Sequence, residues 1–347
     1  MLNPVISKES IQQAKRLIDK AQRIVLVAHV SPDGDAIGSS LALWHVLKQL
    51  GKQADVIVPN NYPGFLKWMD GVKDIVVAEW KDALAARMLH NAELIFCMDF
   101  NIPKRVQQLS GLLEKVPARK IMIDHHPQPA NFCDVTISHP EMSSTSELLY
   151  RFINDIGLDE LINKSSAECL YAGMMTDTGA FSYNSNTPEI YYIISKLLEK
   201  GINKDIIYQK VYNHYSESRI RLEGYVLYKK MRIFEEYNAA LITLSFEEQK
   251  KFQWKKGDTE GFVNIPLSIE NICFSVFIRE EEDIVKISLR SQGGFPANEF
   301  ASDVYTGGGH LNAAGGEFSG SLDNAVRLFE EALPRYKEQL TIKNLKL

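Results

Sequence analysis

The sequence predicts an α/β protein: a doubly wound, mainly parallel sheet, then a smaller α+β C-terminal domain, with the active site in the interdomain cleft. Three observations carry this. The runs "RIVLVAH" (23–29), "ELIFCMD" (93–99) and "KIMIDHH" (120–126) are short and continuously apolar, as buried parallel strands are. Helix-period segments alternate with them, the signature of strand–helix–strand units. Beyond about residue 235 the order changes to successive strands and a closing helix.

The elements follow in order. In "DAIGSSLALWHVLKQLG", Ile37, Leu41, Trp44 and Leu47 recur at helical spacing. Gly38 and Ser39 read as the start of that helix and Gly51 as its stop. "ADVIVP" (54–59) and "KDIVVAEW" (73–80) read as strands, "KDALAARML" and "KRVQQLSGLLEKV" as helices. From 143 to 235 the pattern is helical, through "STSELLYRFIND", "SSAECLYAGMMTDTG", "TPEIYYIISKLLEKG" and "KDIIYQKVYNH". Strand patterns resume at "AALITLSFEE", "ICFSVFIREEED" and "DIVKISLRS", the last two forming a hairpin across the acidic turn 280–283. "YTGGGHLNAAGG" then precedes an amphipathic helix with Leu322, Val326, Phe329 and Leu333 on one face. The expected division is a catalytic domain over 1–187, a helical linker over 188–215 and a substrate-binding domain over 216–347.

Composition sets outer limits. A chain of 347 residues exceeds what one core usually holds. Apolar residues make up 45% and charged residues 24%, the balance of an ordinary globular protein. The formal net charge of -5 argues against coating of long nucleic acid, while leaving small anionic substrates open. The N-terminus is too polar for a signal peptide, and no apolar run approaches the roughly 18 residues of a membrane helix. Four scattered cysteines with no CxxC pair speak for a reduced cytoplasm and against a thiolate metal site. A cytoplasmic protein with no membrane partner is the expectation.

In a parallel sheet the C-terminal strand ends share one edge, and ligands bind outside it. One proposed strand runs into His29, Asp33 and Asp35, another into Asp99, a third into Asp124-His125-His126. Taken singly, Asp99 reads as a helix cap and Asp177, in "MMTDTGAFSYNS", as a turn residue. Together they place several carboxylates at one edge, where they repel unless cations compensate. Mixed imidazole and carboxylate donors suit a divalent transition metal, Mn²⁺ best, with Mg²⁺ or Co²⁺ as alternatives. Some six donors exceed what one ion takes, so two ions are expected.

His29-x3-Asp33-x-Asp35, Asp99, Asp124-His125-His126 and Asp177 resemble the four motifs of the DHH phosphoesterase superfamily. "SLRS" (288–291) and "GGGHLNAAGG" (307–316) resemble its DHH-associated domain, so the resemblance spans nearly the whole chain. The layout is most similar to the nanoRNase / pAp phosphatase (NrnA-type) branch. That resemblance implies a homodimer hydrolysing short RNA oligonucleotides and pAp-like nucleotides, pAp being 3'-phosphoadenosine 5'-phosphate. It implies one Mn²⁺ on His29, Asp33 and Asp99 and a second on Asp35, Asp99, His125 and Asp177, with Asp99 as bridge. Asp124 would orient a neighbouring imidazole. His126 would act in catalysis beside the phosphate, stabilising charge or donating a proton. Arg290 with Ser291, together with Gly308, Gly309 and His310, would bind substrate phosphate, the glycines by backbone N–H groups. Three alternatives stay open: a phosphodiesterase for cyclic or linear dinucleotides (c-di-AMP, pApA), an inorganic pyrophosphatase or exopolyphosphatase, and a catalytically silent nucleotide sensor.

Overall fold

The structure, a computed structural model, describes residues 2–213 and 215–341. The chain forms two compact units, Met1–His214 and Tyr215–Leu347.

The first unit holds β1 (Arg23–Ala28), β2 (Gln53–Val58), β3 (Val76–Val77), β4 (Leu94–Met98), β5 (Arg119–Asp124) and β6 (Val135–Ser138). All neighbours pair in parallel, in the order β3-β2-β1-β4-β5-β6. The chain therefore leaves β1 in one direction and β4 in the other. Such a reversal opens a crevice at the C-terminal ends of those two strands. Helices α1 (Lys8–Lys20), α2 (Gly34–Gln49), α3 (Asp82–Asn91), α4 (Ser110–Lys115), α5 (Thr145–Asp155), α6 (Lys164–Asp177), α7 (Pro188–Glu199) and α8 (Lys204–Tyr212) complete it. Ile24, Leu26 and Ala28 of β1 enter one hydrophobic core, and Val25 and Val27 enter another on the opposite sheet face. Burial on both faces explains why these strands are continuously apolar.

The elements depart from the sequence reading at four points. Helix α2 begins at Gly34, four residues before the expected start, because Asp33 caps it by accepting the N–H groups of Asp35 and Ala36. Of the strand expected over 73–80, only Val76–Val77 pairs. The helix expected from Lys104 is a 3₁₀ segment interrupted at Gln107 (φ 43°), and α4 covers only its end. Helices α7 and α8 fall in the stretch read as a linker, yet Ile190, Ile193, Leu197, Ile207 and Val211 are buried in the first unit's core.

The second unit holds α9 (Glu217–Tyr225), β7 (Arg232–Phe234), β8 (Ala239–Leu244), α10 (Phe246–Lys251), β9 (Phe274–Glu280) and β10 (Val285–Ser291). It continues through α11 (Ala297–Val304), β11 (Thr306–His310), β12 (Ala313–Phe318) and α12 (Leu322–Ala332). The sheet order is β11-β12-β10-β9-β8-β7, antiparallel except for β8 with β9. Phe274, Phe295, Phe300 and Phe329 form the centre of its main core. Among the described residues, no helix is long and apolar enough to cross a membrane.

Candidate metal centre

Three strand ends of the first unit deliver donors to one place. His29 follows β1, Asp99 follows β4, and Asp124-His125-His126 closes β5. Asp33 and Asp35 sit at the start of α2, and Asp177 ends α6. Donor atoms of His29, Asp33 and Asp99 lie within 4.8 Å of one another, as do those of Asp35, His125 and Asp177, and those of Asp99, Asp124 and His126.

The local backbone aims each group. Asp99 adopts a left-handed conformation (φ 61°), which an Asp tolerates better than most residues, and its N–H donates to Ile123 O at 3.0 Å. Its Oδ2 lies 3.3 Å from His29 Nε2, while Oδ1 lies 3.7 Å from both His125 Nε2 and His126 Nδ1. His29 Nδ1 is 2.8 Å from Val30 O, so Nδ1 carries a proton and Nε2 turns to the carboxylates. His125 is set the same way, Nδ1 at 3.2 Å from Met142 O and Nε2 at 3.3 Å from Asp177 Oδ2. The two oxygens of Asp33 divide their work: Oδ1 caps α2, and Oδ2 faces His29 Nε2 at 3.9 Å.

Asp124 is fully buried and grips His126 twice. Its Oδ2 accepts the His126 N–H at 3.0 Å, and Oδ1 lies 2.7 Å from Nδ1. The ring is thereby fixed with Nε2 directed away from Asp124.

In sequence, residues 143–147, "SSTSE", read only as the beginning of a helix. Here Thr145 N–H and Ser146 N–H donate to the two oxygens of Asp35 at 2.6 and 2.9 Å, and the Thr145 hydroxyl donates to Asp99 Oδ1 at 2.8 Å. A run of short hydroxyl side chains at a helix start is the sequence signal, but it cannot disclose a partner 110 residues away.

The electrostatics describe a centre short of positive charge. Burial, then the Asp99 and Asp177 carboxylates, push the Asp35 carboxyl well above its ordinary value. Burial would also raise Asp99, but the His29 hydrogen bond and the charges of His126, His29 and His125 hold it far below. Burial lowers His125, yet the carboxylates of Asp177, Asp99 and Asp35 outweigh it and raise the imidazole to about 9. A cluster that gathers protons onto its imidazoles is one that cations would satisfy. The donors, three carboxylate-rich sets with imidazole nitrogens, fit a hard-to-intermediate divalent ion.

The second unit sorts the remaining predicted residues onto two faces. Arg290 pairs with Ala313, which pairs with His310; Ser288 pairs with Gly315, which pairs with Gly308. Directly paired residues share a sheet face, and side chains two apart on a strand do too. Arg290, Gly308 and His310 therefore lie on one face. Ser291 points the other way, opposite Phe274 of the core. Its hydroxyl donates to Phe295 O at 2.7 Å and accepts from Asn312 Nδ2 at 2.8 Å. A phosphate grip by Arg290 and Ser291 side by side is thus at odds with the strand's alternation. Gly307–Gly309 belongs to strand β11. Gly309 has φ 145°, and a Cβ there would lie 2.5 Å from Ala313 O, whereas a Cβ on Gly308 would meet open space. Gly309 is glycine for the hairpin's own sake; Gly308 is not.

Residues 23–174 match the DHH family, N-terminal domain, and residues 231–335 match the DHHA1 domain. The chain is 30% identical over 319 residues to the bifunctional oligoribonuclease and PAP phosphatase NrnA of Thermus thermophilus, covering 92% of this chain and 90% of that protein. The solved structure of an exopolyphosphatase-related protein from Bacteroides fragilis is similar at a TM-score of 0.95 and 56% identity, covering 98% of this chain and 99% of that one. The cyclic-di-AMP phosphodiesterase GdpP of Bacillus subtilis is 24% identical over 337 residues, 93% of this chain and 49% of that protein.

Proposed function

We propose, from the premise that this chain belongs to the DHH family and is a hydrolase of phosphoester bonds, that it cleaves short oligoribonucleotides and 3'-phosphoadenosine 5'-phosphate with the help of two Mn²⁺ ions. The observation that carries the reading is the convergence of six donors in two sets, His29, Asp33 and Asp99, and Asp35, His125 and Asp177, with Asp99 between them. His29, Asp33 and Asp99 would hold one ion; Asp35, Asp99, His125 and Asp177 would hold the other. When bound, the ions supply a Lewis acid for the phosphoryl oxygens and a lowered pKa for attacking water.

The chain's own residues supply the rest. Asp99 keeps one oxygen toward each donor set and would thereby hold both ions. Asp124 holds a proton between itself and His126 Nδ1, so Nε2 is the ring atom that meets the phosphate or its leaving oxygen. A positioned imidazole in that role contributes about 10²–10⁴-fold to rate. Arg290 and His310, with the backbone of Gly308, are the anion-binding residues of the second sheet. Arg290 brings planar, charge-assisted hydrogen bonding suited to phosphate.

A second reading, hydrolysis of cyclic or linear dinucleotides, is favoured by the similarity to GdpP. The same donors would serve it. The test is a panel of pAp, pApA, cyclic di-AMP, pyrophosphate and a 5'-labelled RNA length series, each with Mn²⁺. Rapid turnover of pAp and of two- to five-residue RNAs, with little of long RNA or pyrophosphate, is expected. Dominant turnover of cyclic di-AMP would replace the first reading with the second, and inertness toward every substrate would refute both.

A further inference from the structure

We infer that Thr145 is a positioning residue for the metal centre, setting the direction of both the bridging carboxylate, Asp99, and the buried carboxylate of Asp35; the inference rests on the metal-centre reading above. A carboxylate that serves two cations must keep one oxygen toward each. Rotation about the Asp99 Cβ–Cγ bond would undo that. His29 Nε2 faces Oδ2 at 3.3 Å, and the Thr145 hydroxyl donates to Oδ1 at 2.8 Å, so the two oxygens are pinned from opposite sides. The Thr145 N–H donates to Asp35 Oδ2 at 2.6 Å. One residue thus ties together a donor after β4 and a donor at the start of α2.

Thr145 is itself immobilised. The Ser144 hydroxyl caps α5 by accepting the Glu147 N–H at 3.0 Å. The Glu147 carboxylate accepts the Ser143 N–H and hydroxyl at 2.9 and 2.7 Å, and Arg151 donates Nε and Nη2 to it at 3.1 and 2.7 Å. Every residue from Ser143 to Glu147, and Arg151, is buried. Buried polar groups are stable when hydrogen-bonded, and these are, apart from the Ser146 hydroxyl, which packs against α6 without a partner among the described residues. Their common result is one fixed turn aimed at Asp35 and Asp99. Helix α6 makes room for it: a Cβ on Gly173 would lie 2.0 Å from Ser146 Oγ and 2.9 Å from Asp35 Oδ1. The helix that yields this space also carries Asp177.

The test compares metal-free wild type, Thr145→Val and Thr145→Ser by calorimetric titration with Mn²⁺, thermal unfolding without metal, and steady-state hydrolysis of pApA. Thr145→Val keeps the side chain's shape and the backbone N–H but removes the hydroxyl. Mn²⁺ affinity is expected to fall about 10–100-fold, the usual loss when a group orienting a metal donor is removed. In the same variant kcat falls while KM for pApA stays near wild type, and Thr145→Ser restores both. A folded Thr145→Val protein with wild-type affinity and kcat overturns the inference. So does loss of thermal stability alone, with affinity intact, since that is what a purely structural threonine would give. Thr145→Ala removes the same hydroxyl and replaces Thr145→Val should the latter not fold. Wild type that takes up no Mn²⁺ at all refutes the metal-centre reading itself, a result separable from any effect of Thr145.

Discussion

The first unit's strand ends and the second unit's glycine strand contrast in how their candidate residues are held. Asp35, Asp99 and Asp124 are buried; Asp35 and Asp99 are fixed by Thr145 from far along the chain, and Asp124 by its neighbour His126. Gly307, Gly308 and Gly309 lie exposed on an edge strand, with His310 and Arg290 only half-buried. Chemistry on phosphorus demands charges fixed in direction. Holding one end of a flexible nucleotide demands reach and donors, which the proposed anion-binding Arg290, and His310 on an open strand, would provide. Changes in the first region should therefore strike turnover, and changes in the second should strike affinity.

Asp99→Ala is the hardest blow to the first region. It removes the carboxylate that turns one oxygen to each donor set and would leave the two proposed cations unbridged. The Lewis-acid contribution at stake is several kcal/mol, so kcat should drop by about 10³-fold or more, measured at saturating pApA. His126→Ala comes next, with kcat down about 10²–10⁴-fold while Mn²⁺ uptake is largely kept, since the shorter contact of His126 Nδ1 is to Asp124, at 2.7 Å, against 3.7 Å to Asp99. Wild-type turnover in that variant would remove His126 from the chemistry. In the second region, Arg290→Ala should raise KM for pAp about 10–100-fold, the worth of charged hydrogen bonds at roughly 1.5–3 kcal/mol, with kcat changed less. A pure kcat defect there would erase the contrast between the regions.

The smallest effect is one of pH. His125 is raised from 6.5 to about 9 in the metal-free fold, burial working against its carboxylate neighbours and losing. A raised imidazole stabilises the fold fully below the unfolded value and loses that contribution as pH climbs through the folded one. Mn²⁺ competes with the same proton. Its apparent affinity should rise by up to about tenfold per pH unit from 6.5 toward 9 and then level. Affinity falling with pH in that window would mean that His125 is not a donor.

How much of this was legible in the sequence follows from physical locality. The β1, β4 and β5 runs were readable because a strand buried on both faces is apolar at every position. Their last residues were readable because parallel strands end at a common edge, so His29, Asp99 and Asp124-His125-His126 had to meet. The Ser143–Glu147 turn was not, because its function lies in contacts to Asp35 and Asp99 across the fold. Its local pattern says only that a helix starts. Glycines gave the other difficulty. With no side chains, "TGGGH" has no hydrophobic period, so strand and loop look alike until β12 is seen to pair with it. The opposed faces of Arg290 and Ser291 were legible too, since "DIVKISLRS" reads as a strand and neighbouring strand residues face opposite ways; the expected pairing of the two on one phosphate overlooked that alternation.

On the proposed reading, Asp99 joins two cation sites in one chain. Metal-free protein titrated with Mn²⁺, with bound ions counted by native mass spectrometry and their coupling read by electron paramagnetic resonance, tests it most directly. Two ions per chain with a spin-coupled signal are expected, reduced to fewer than two uncoupled ions in Asp99→Ala. A single ion per chain in the wild type, or two ions that stay coupled without Asp99, would contradict it.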